Sequence, residues 1–221
     1  MKKLFILFVL PLAIFTSCGS SVDDAVNDLT DTLFQFGETT ATIDGNTKDF
    51  NNYSGYQTVG NTTVLYFADI KLSTTSADAK GEAIVCILNN DEFTAGNSID
   101  ISLTGILTGG LSATKLQTAF LYLNDVSAQD VVSLVSLYTQ KDANLETTLE
   151  QAESFDYTIR QASLLNFQEI LTGDTPNLKI SIDKSDGKTV DGTFSFTAFG
   201  TDGSKTNVTA GSFKDIPNDN K

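Results

Sequence analysis

The 221-residue chain has no histidine and no tryptophan, and Arg160 is its single arginine. Without imidazole there is no Ser-His-Asp triad, no Cys-His pair and no histidine-ligated zinc or haem. One guanidinium cannot build the arginine clusters that grip phosphate or carboxylate groups. The chemistry left to the chain is that of carboxylates, lysines, tyrosines and hydroxyls. Bases are also scarce: 14 Lys and Arg stand against 28 Asp and Glu, for a net charge of −14. That balance argues against nucleic acid as a partner and against docking on anionic lipid through a basic patch. Proline is rare, with three residues, and cysteine rarer, with two, Cys18 and Cys86.

Cys18 lies on a border. Lys2 and Lys3 precede the apolar run "LFILFVLPLAIF" (Leu4–Phe15), and "SCGSSVDD" follows it. A basic start, a short apolar stretch and small residues make a secretory signal. A membrane span needs ~20 apolar residues, and this run is shorter and broken by Pro11. The small residues Thr16 and Ser17 run straight into the cysteine, and "FTSC" resembles the lipobox of bacterial lipoproteins, with Phe15 where leucine is preferred. The resemblance implies removal of residues 1–17 and a diacylglyceryl (palmitate-bearing) anchor on Cys18. Residues 18–37 then form an acidic spacer and 38–221 one domain, long enough for a core of its own. With Cys18 lipidated, Cys86 has no partner for a disulfide. It sits in "EAIVCILNN", an apolar run that suits a buried strand.

From Thr39 the chain is patterned as strands. "TTVLYFADIKL" places Val64, Tyr66, Ala68, Ile70 and Leu72 on one face, and "SIDISLTGI" places Ile99, Ile101 and Leu103 likewise. "AIVCIL" and "LQTAFLYLN" are apolar throughout, as central strands are. Residues 127–152 break the rhythm. Val131, Leu134, Val135 and Tyr138 recur at helical spacing, with Ser127 and Asp130 placed as a capping box, and "TTLEQAE" (Thr147–Glu153) offers a second. "FDYTI" (Phe155–Ile159) returns to alternation. At the end, three alternating runs are separated by Asp186-Gly187 and Asp202-Gly203, the chemistry of type I′ hairpins. The fold class expected is mostly β: an antiparallel β-sandwich or partly closed barrel, with a helical insertion around residues 127–152.

The stretches "ATIDGNTKDF" and "VDGTFSFTAFGTDGSKTNVTAGSFKDI" resemble an uncharacterised family of lipoproteins in Bacteroidota, flavobacteria above all. That family is marked by a lipobox signal, an early A-x-[IV]-D-G strand and turn, and a closing GTFSF…GSF hairpin. The matching residues are turn glycines and core phenylalanines, so the resemblance implies membership and location but no activity. It implies an outer-membrane lipoprotein. In that phylum "SSVDD" resembles an acidic export signal, with Asp23 and Asp24 directing the protein to the cell surface rather than the periplasmic face.

No stretch carries a specific catalytic motif. Ser112…Lys115 fits S-x-x-K, but so do Ser181…Lys184 and Ser185…Lys188, and the companion motifs are missing. "IDGNTKD" and "DKSDGKTVDG" lack the spacing of a calcium loop, so neither a metal nor any other cofactor is expected. Tyr53 and Tyr56, in "NYSGYQ", are the candidate binding residues, a platform on which a sugar ring would stack. The expected role is non-enzymatic: binding or structure at the membrane, with a glycan, a matrix component or a protein as partner. The alternative is a carboxylate-dependent hydrolase such as a glycosidase.

Overall fold

The computed structural model describes residues 37–70, 79–102, 110, 112–140, 151, 158–163 and 177–220. Residues 1–36, which carry the expected signal, Cys18 and all of the expected spacer but Gly37, lie outside them, as do Leu72, Leu103, residues 141–150 and residues 152–157. Among the described residues eleven strands run in chain order: β1 Glu38–Ile43, β2 Asn46–Asp49, β3 Tyr53–Val59, β4 Thr62–Asp69, β5 Lys80–Asn89, β6 Ser98–Ile101, β7 Ala119–Ser127, β8 Thr158–Ser163, β9 Leu178–Ser185, β10 Thr189–Phe199 and β11 Lys205–Pro217. A helical turn α1, Ala113–Leu116, precedes β7, and the helix α2, Ala128–Tyr138, follows it.

The strands make one antiparallel sheet in the order β2-β1-β11-β10-β8-β7-β5-β4-β3, with β9 pairing β10 and β6 pairing β9. It curls into a half-barrel. β10 is shared along its length, pairing β9 from Val190 to Phe196 and meeting β8 only at Phe199. β3, at one end of the order, is reached from β11: Asn218, just past that strand, bridges in parallel to Tyr56 of β3.

Local chemistry explains the elements. Asp44 and Gly45 both adopt positive φ, 48° and 87°, and close the two-residue β1–β2 hairpin as a type I′ turn. The same dipeptide acts differently at the other two hairpins. Gly187 and Gly203 have positive φ, but Asp186 and Asp202 do not. These two aspartates instead accept backbone N–H bonds from Lys188 and Thr189 at 2.9 and 2.8 Å, and from Ser204 at 2.9 Å. The hairpins are where the sequence puts them, but their turns are Asx-stabilised rather than type I′. Ser127 and Asp130 form the expected capping box: the Asp130 N–H donates to Ser127 Oγ at 3.2 Å, and the Ser127 N–H to Asp130 Oδ2 at 2.9 Å.

Each face of the sheet has its own core. The inner face gathers Tyr56, Leu65, Phe67, Cys86, Phe120, Phe194, Phe196 and Phe213 among others. Phe67 stacks on Phe194 and Phe213 with ring centroids 5.6 and 5.4 Å apart. On the outer face Val64, Tyr66, Val85, Leu121 and Leu123 are covered by Val131, Leu134, Val135 and Tyr138 of α2. This second core explains why β4, β5 and β7 are buried on both sides. "TTVLYFAD" alternates between two apolar environments, not between core and water. Cys86 is fully buried in the inner core, and burial pushes its thiol well above the usual range.

Candidate functional site

β2, the link that follows it, and the facing ends of β4 and β5 enclose an open cleft of about 710 Å³. It is lined by Lys48, Asp49, Asn51, Asn52, Asp69, Lys80, Gly81 and Glu82. The link is pinned to the strands around it. The Phe50 N–H donates to the Thr39 carbonyl at 2.8 Å, the Thr39 N–H to Asn51 Oδ1 at 2.7 Å, and the Asn52 N–H to the Ala68 carbonyl at 3.2 Å. Phe50 is buried and anchors the segment from beneath. The polar side chains of the link therefore stand on a fixed backbone.

Lys48 and Glu82 are the centre of the cleft. The ammonium donates to both carboxylate oxygens, at 2.5 and 2.6 Å, with the two side chains 33 and 23% exposed. Glu82 also accepts a hydrogen bond from Tyr122, on neighbouring β7. Burial first, and then the charge of Glu82 and this bond, push the Tyr122 phenol up. Asn52 donates through Nδ2 to Asp69 Oδ1 at 3.1 Å, and Lys80 pairs with Asp125 at 3.1 Å. The cleft thus presents fixed donors and acceptors of both signs. Chemically, these groups can donate to and accept from hydroxyls and amides. Among the described residues no three His, Cys, Asp or Glu side chains gather to hold a metal ion, and no helix is long and apolar enough to cross a membrane.

The two candidate tyrosines do not share a surface. Tyr56 faces inward, 3% exposed, with its ring 5.1 Å from that of Phe93. Tyr53 faces outward and is half-buried, 5.1 Å from the ring of Tyr66. Three residues apart on a strand, they point to opposite sides, so no single stacking platform is formed from both. Tyr53 does follow directly on Asn52, at the edge of the cleft.

Tyr53 belongs to a second cluster. The Tyr66 hydroxyl donates to Asp219 Oδ2, and both crowd the Cα of Gly55, where a Cβ would collide with each. Although Asp219 is exposed as a residue, its carboxyl is turned against these rings, and desolvation raises its pKa to about 6. Burial, and then the charge of Asp219, raise the Tyr53 phenol in turn. Of the three S-x-x-K matches, Ser112 is a local cap, its Oγ accepting the Lys115 N–H at 3.2 Å, and Ser181 donates to Asp183 at 3.1 Å.

The sequence offered little that pointed to the cleft. Lys48, Asn52, Asp69 and Glu82 are spread over 35 positions with no recurring spacing, and the curl of the sheet brings them together. Compared with known proteins, the chain matches no family model, no curated sequence and no solved structure.

Proposed function

We propose that this is a lipid-anchored binding protein of the outer membrane, held by Cys18 and facing outward from the cell. In this reading the cleft around Lys48 and Glu82 takes a polar ligand of the glycan class. The anchor rests on the lipobox-like "FTSC" after a short apolar run; two or more acyl chains hold a protein stably on a membrane where one does so only marginally. The cleft carries the binding part. Its walls alternate ammonium, carboxylate and amide groups on a pinned backbone, the complement of a ligand whose hydroxyls both donate and accept. Asn51 and Asn52 keep donors or acceptors beyond the bonds that hold them, and Tyr53 offers a half-buried ring beside them.

The test has two parts. Mass spectrometry of the mature N-terminus should find a lipidated Cys18, and a Cys18→Ser form should leave the membrane fraction. An unmodified cysteine at that position ends the anchor reading. The lipid-free domain should bind members of a glycan panel, with affinity falling at least tenfold in Asn52→Ala and Lys48→Ala. Binding indifferent to both substitutions places the site elsewhere. Turnover of the panel, lost on replacing one carboxylate, makes the protein a hydrolase instead.

A further inference from the structure

The polar surface does not stop at Glu82. On the inner face it continues across neighbouring strands, from Glu82 on β5 to Tyr122 on β7 and Arg160 on β8. Tyr122 and Arg160 are direct partners in the β7–β8 register, so their side chains share a face. Tyr122 belongs to the inner core, as does Ala162, two positions beyond Arg160. Tyr122 donates to Glu82, which also holds Lys48. Two strand spacings, about 10 Å, separate β5 from β8.

Arg160 is the single guanidinium of the chain, and its direction is fixed. Nε donates to Ser204 Oγ at 2.8 Å. Ser204 is held in its turn: its N–H donates to Asp202 Oδ1 at 2.9 Å, and its carbonyl accepts the Gly200 N–H at 2.8 Å. A Cβ on Gly200 would strike Asp202 and Ser204 and touch the Arg160 stem. The β10–β11 turn therefore seats the stem and engages the Nε side of the guanidinium. Among the described residues none accepts a hydrogen bond from Nη1 or Nη2, and no carboxylate forms an ion pair with Arg160. Lys48, Lys80, Lys179 and Lys184, by contrast, are all paired with acids. Asp202 is kept low chiefly by its bonds to Ser204 and last by the charge of Arg160. With 28 acidic side chains to 14 basic ones, charge balance alone would not leave a part-buried cation without an acidic partner.

We propose, resting on the glycan reading above, that Arg160 holds a carboxylate of the bound sugar, so that the ligand is an acidic glycan containing uronic acids.

The Nη1–Nη2 edge presents parallel N–H groups to the two oxygens of a carboxylate, a bidentate match with both bonds charge-assisted. The uncharged hydroxyls of the same ligand meet the Tyr122–Glu82–Lys48 row, where donors and acceptors alternate. The net charge of −14 opposes an anionic ligand at long range, but that repulsion is screened beyond ~8 Å at physiological salt, whereas the fork acts in contact.

The experiment uses the mature chain carrying Cys18→Ser. Calorimetry compares oligosaccharides of glucuronic, galacturonic and mannuronic acid with their methyl esters, which keep the sugar and lose the charge. At least one free acid should bind about tenfold or more tighter than its ester, the effect of one charge-assisted contact. Arg160→Gln should remove that preference and leave the affinity for the ester unchanged, which also reports an intact fold. The ester comparison on the natural arginine does not depend on how the variant folds. Equal binding of acid and ester, a preference that survives Arg160→Gln, or an equal loss for both ligands overturns this assignment and leaves the glycan reading standing. Binding of neither ligand to the natural arginine form overturns both.

Discussion

Replacing Lys48 with alanine should destabilise the domain more than replacing its partner Glu82 with glutamine. Lys48→Ala removes two short charge-assisted bonds and leaves the Glu82 carboxylate, 23% exposed, with Tyr122 as its remaining neighbour. Glu82→Gln keeps one acceptor oxygen, which Lys48 and Tyr122 can share, and leaves no unpaired carboxylate. Hydrogen bonds to charged groups contribute ~1.5–3 kcal/mol and open surface pairs ~0.2–1. A pair exposed by a quarter to a third falls between, so Lys48→Ala should cost about 1–2 kcal/mol and Glu82→Gln about half of that. For a domain of this size those losses lower Tm by about 3–6 °C and about 1–3 °C. Urea unfolding followed by tyrosine emission suits the chain, which has six tyrosines and no tryptophan to mask them. The double variant completes a cycle whose coupling should be near 1 kcal/mol. A coupling below ~0.3 kcal/mol, or a larger loss in Glu82→Gln than in Lys48→Ala, refutes the argument that the pair is partly desolvated.

Ser127→Ala removes the acceptor that caps α2 and should cost about 1 kcal/mol, with Ser127→Thr close to neutral; equal losses in the two would show that the cap contributes nothing specific. Cys86 is fully buried and its thiol is pushed up by burial, so a thiol reagent should label the native protein only at the rate of global opening and the urea-unfolded protein at once. Labelling of the folded form within seconds would contradict the two-faced burial of β5.

Much of the fold can be read from short patterns because the forces that set it are local. Alternation in β9–β11, and the capping box at Ser127 and Asp130, depend on neighbours two to four positions apart. The helix spacing of Val131, Leu134, Val135 and Tyr138 likewise names the face that meets the sheet. The face it would meet was not legible: "TTVLYFAD" has the same alternation whether its second side sees water or the interior of a half-barrel. The Asp-Gly hairpins show a finer limit, since one dipeptide makes a type I′ turn at Asp44 and an Asx turn at Asp186, and the flanking strand register decides between them. The candidate site was legible least. Tyr53 and Tyr56 look adjacent in the chain, but a spacing of three shares a face only on a helix. Lys48–Glu82 and Tyr66–Asp219 join residues 34 and 153 positions apart, and neither pairing leaves a mark in the local pattern.

The burial of β4, β5 and β7 on both faces has a consequence for how strand register is held. In a sheet with one wet face, sliding a strand by one residue turns its apolar side chains outward, and the hydrophobic effect resists the error. Here a slip of β4 would exchange Val64, Tyr66 and Ala68 for Leu65 and Phe67, one apolar set for another. A misaligned pairing would bury nearly as much apolar surface as the native one, so polarity is a poor judge between them. Shape has to decide. Gly55 stands opposite Tyr66 in the β3–β4 register, where any other residue would strike the phenol and Asp219. Gly81 passes close against the Asp69 backbone, and the β5–β7 pairing shifts by a residue between Gly81 and Glu82. The alignment of the most buried part of the protein thus depends on two residues with no side chain at all.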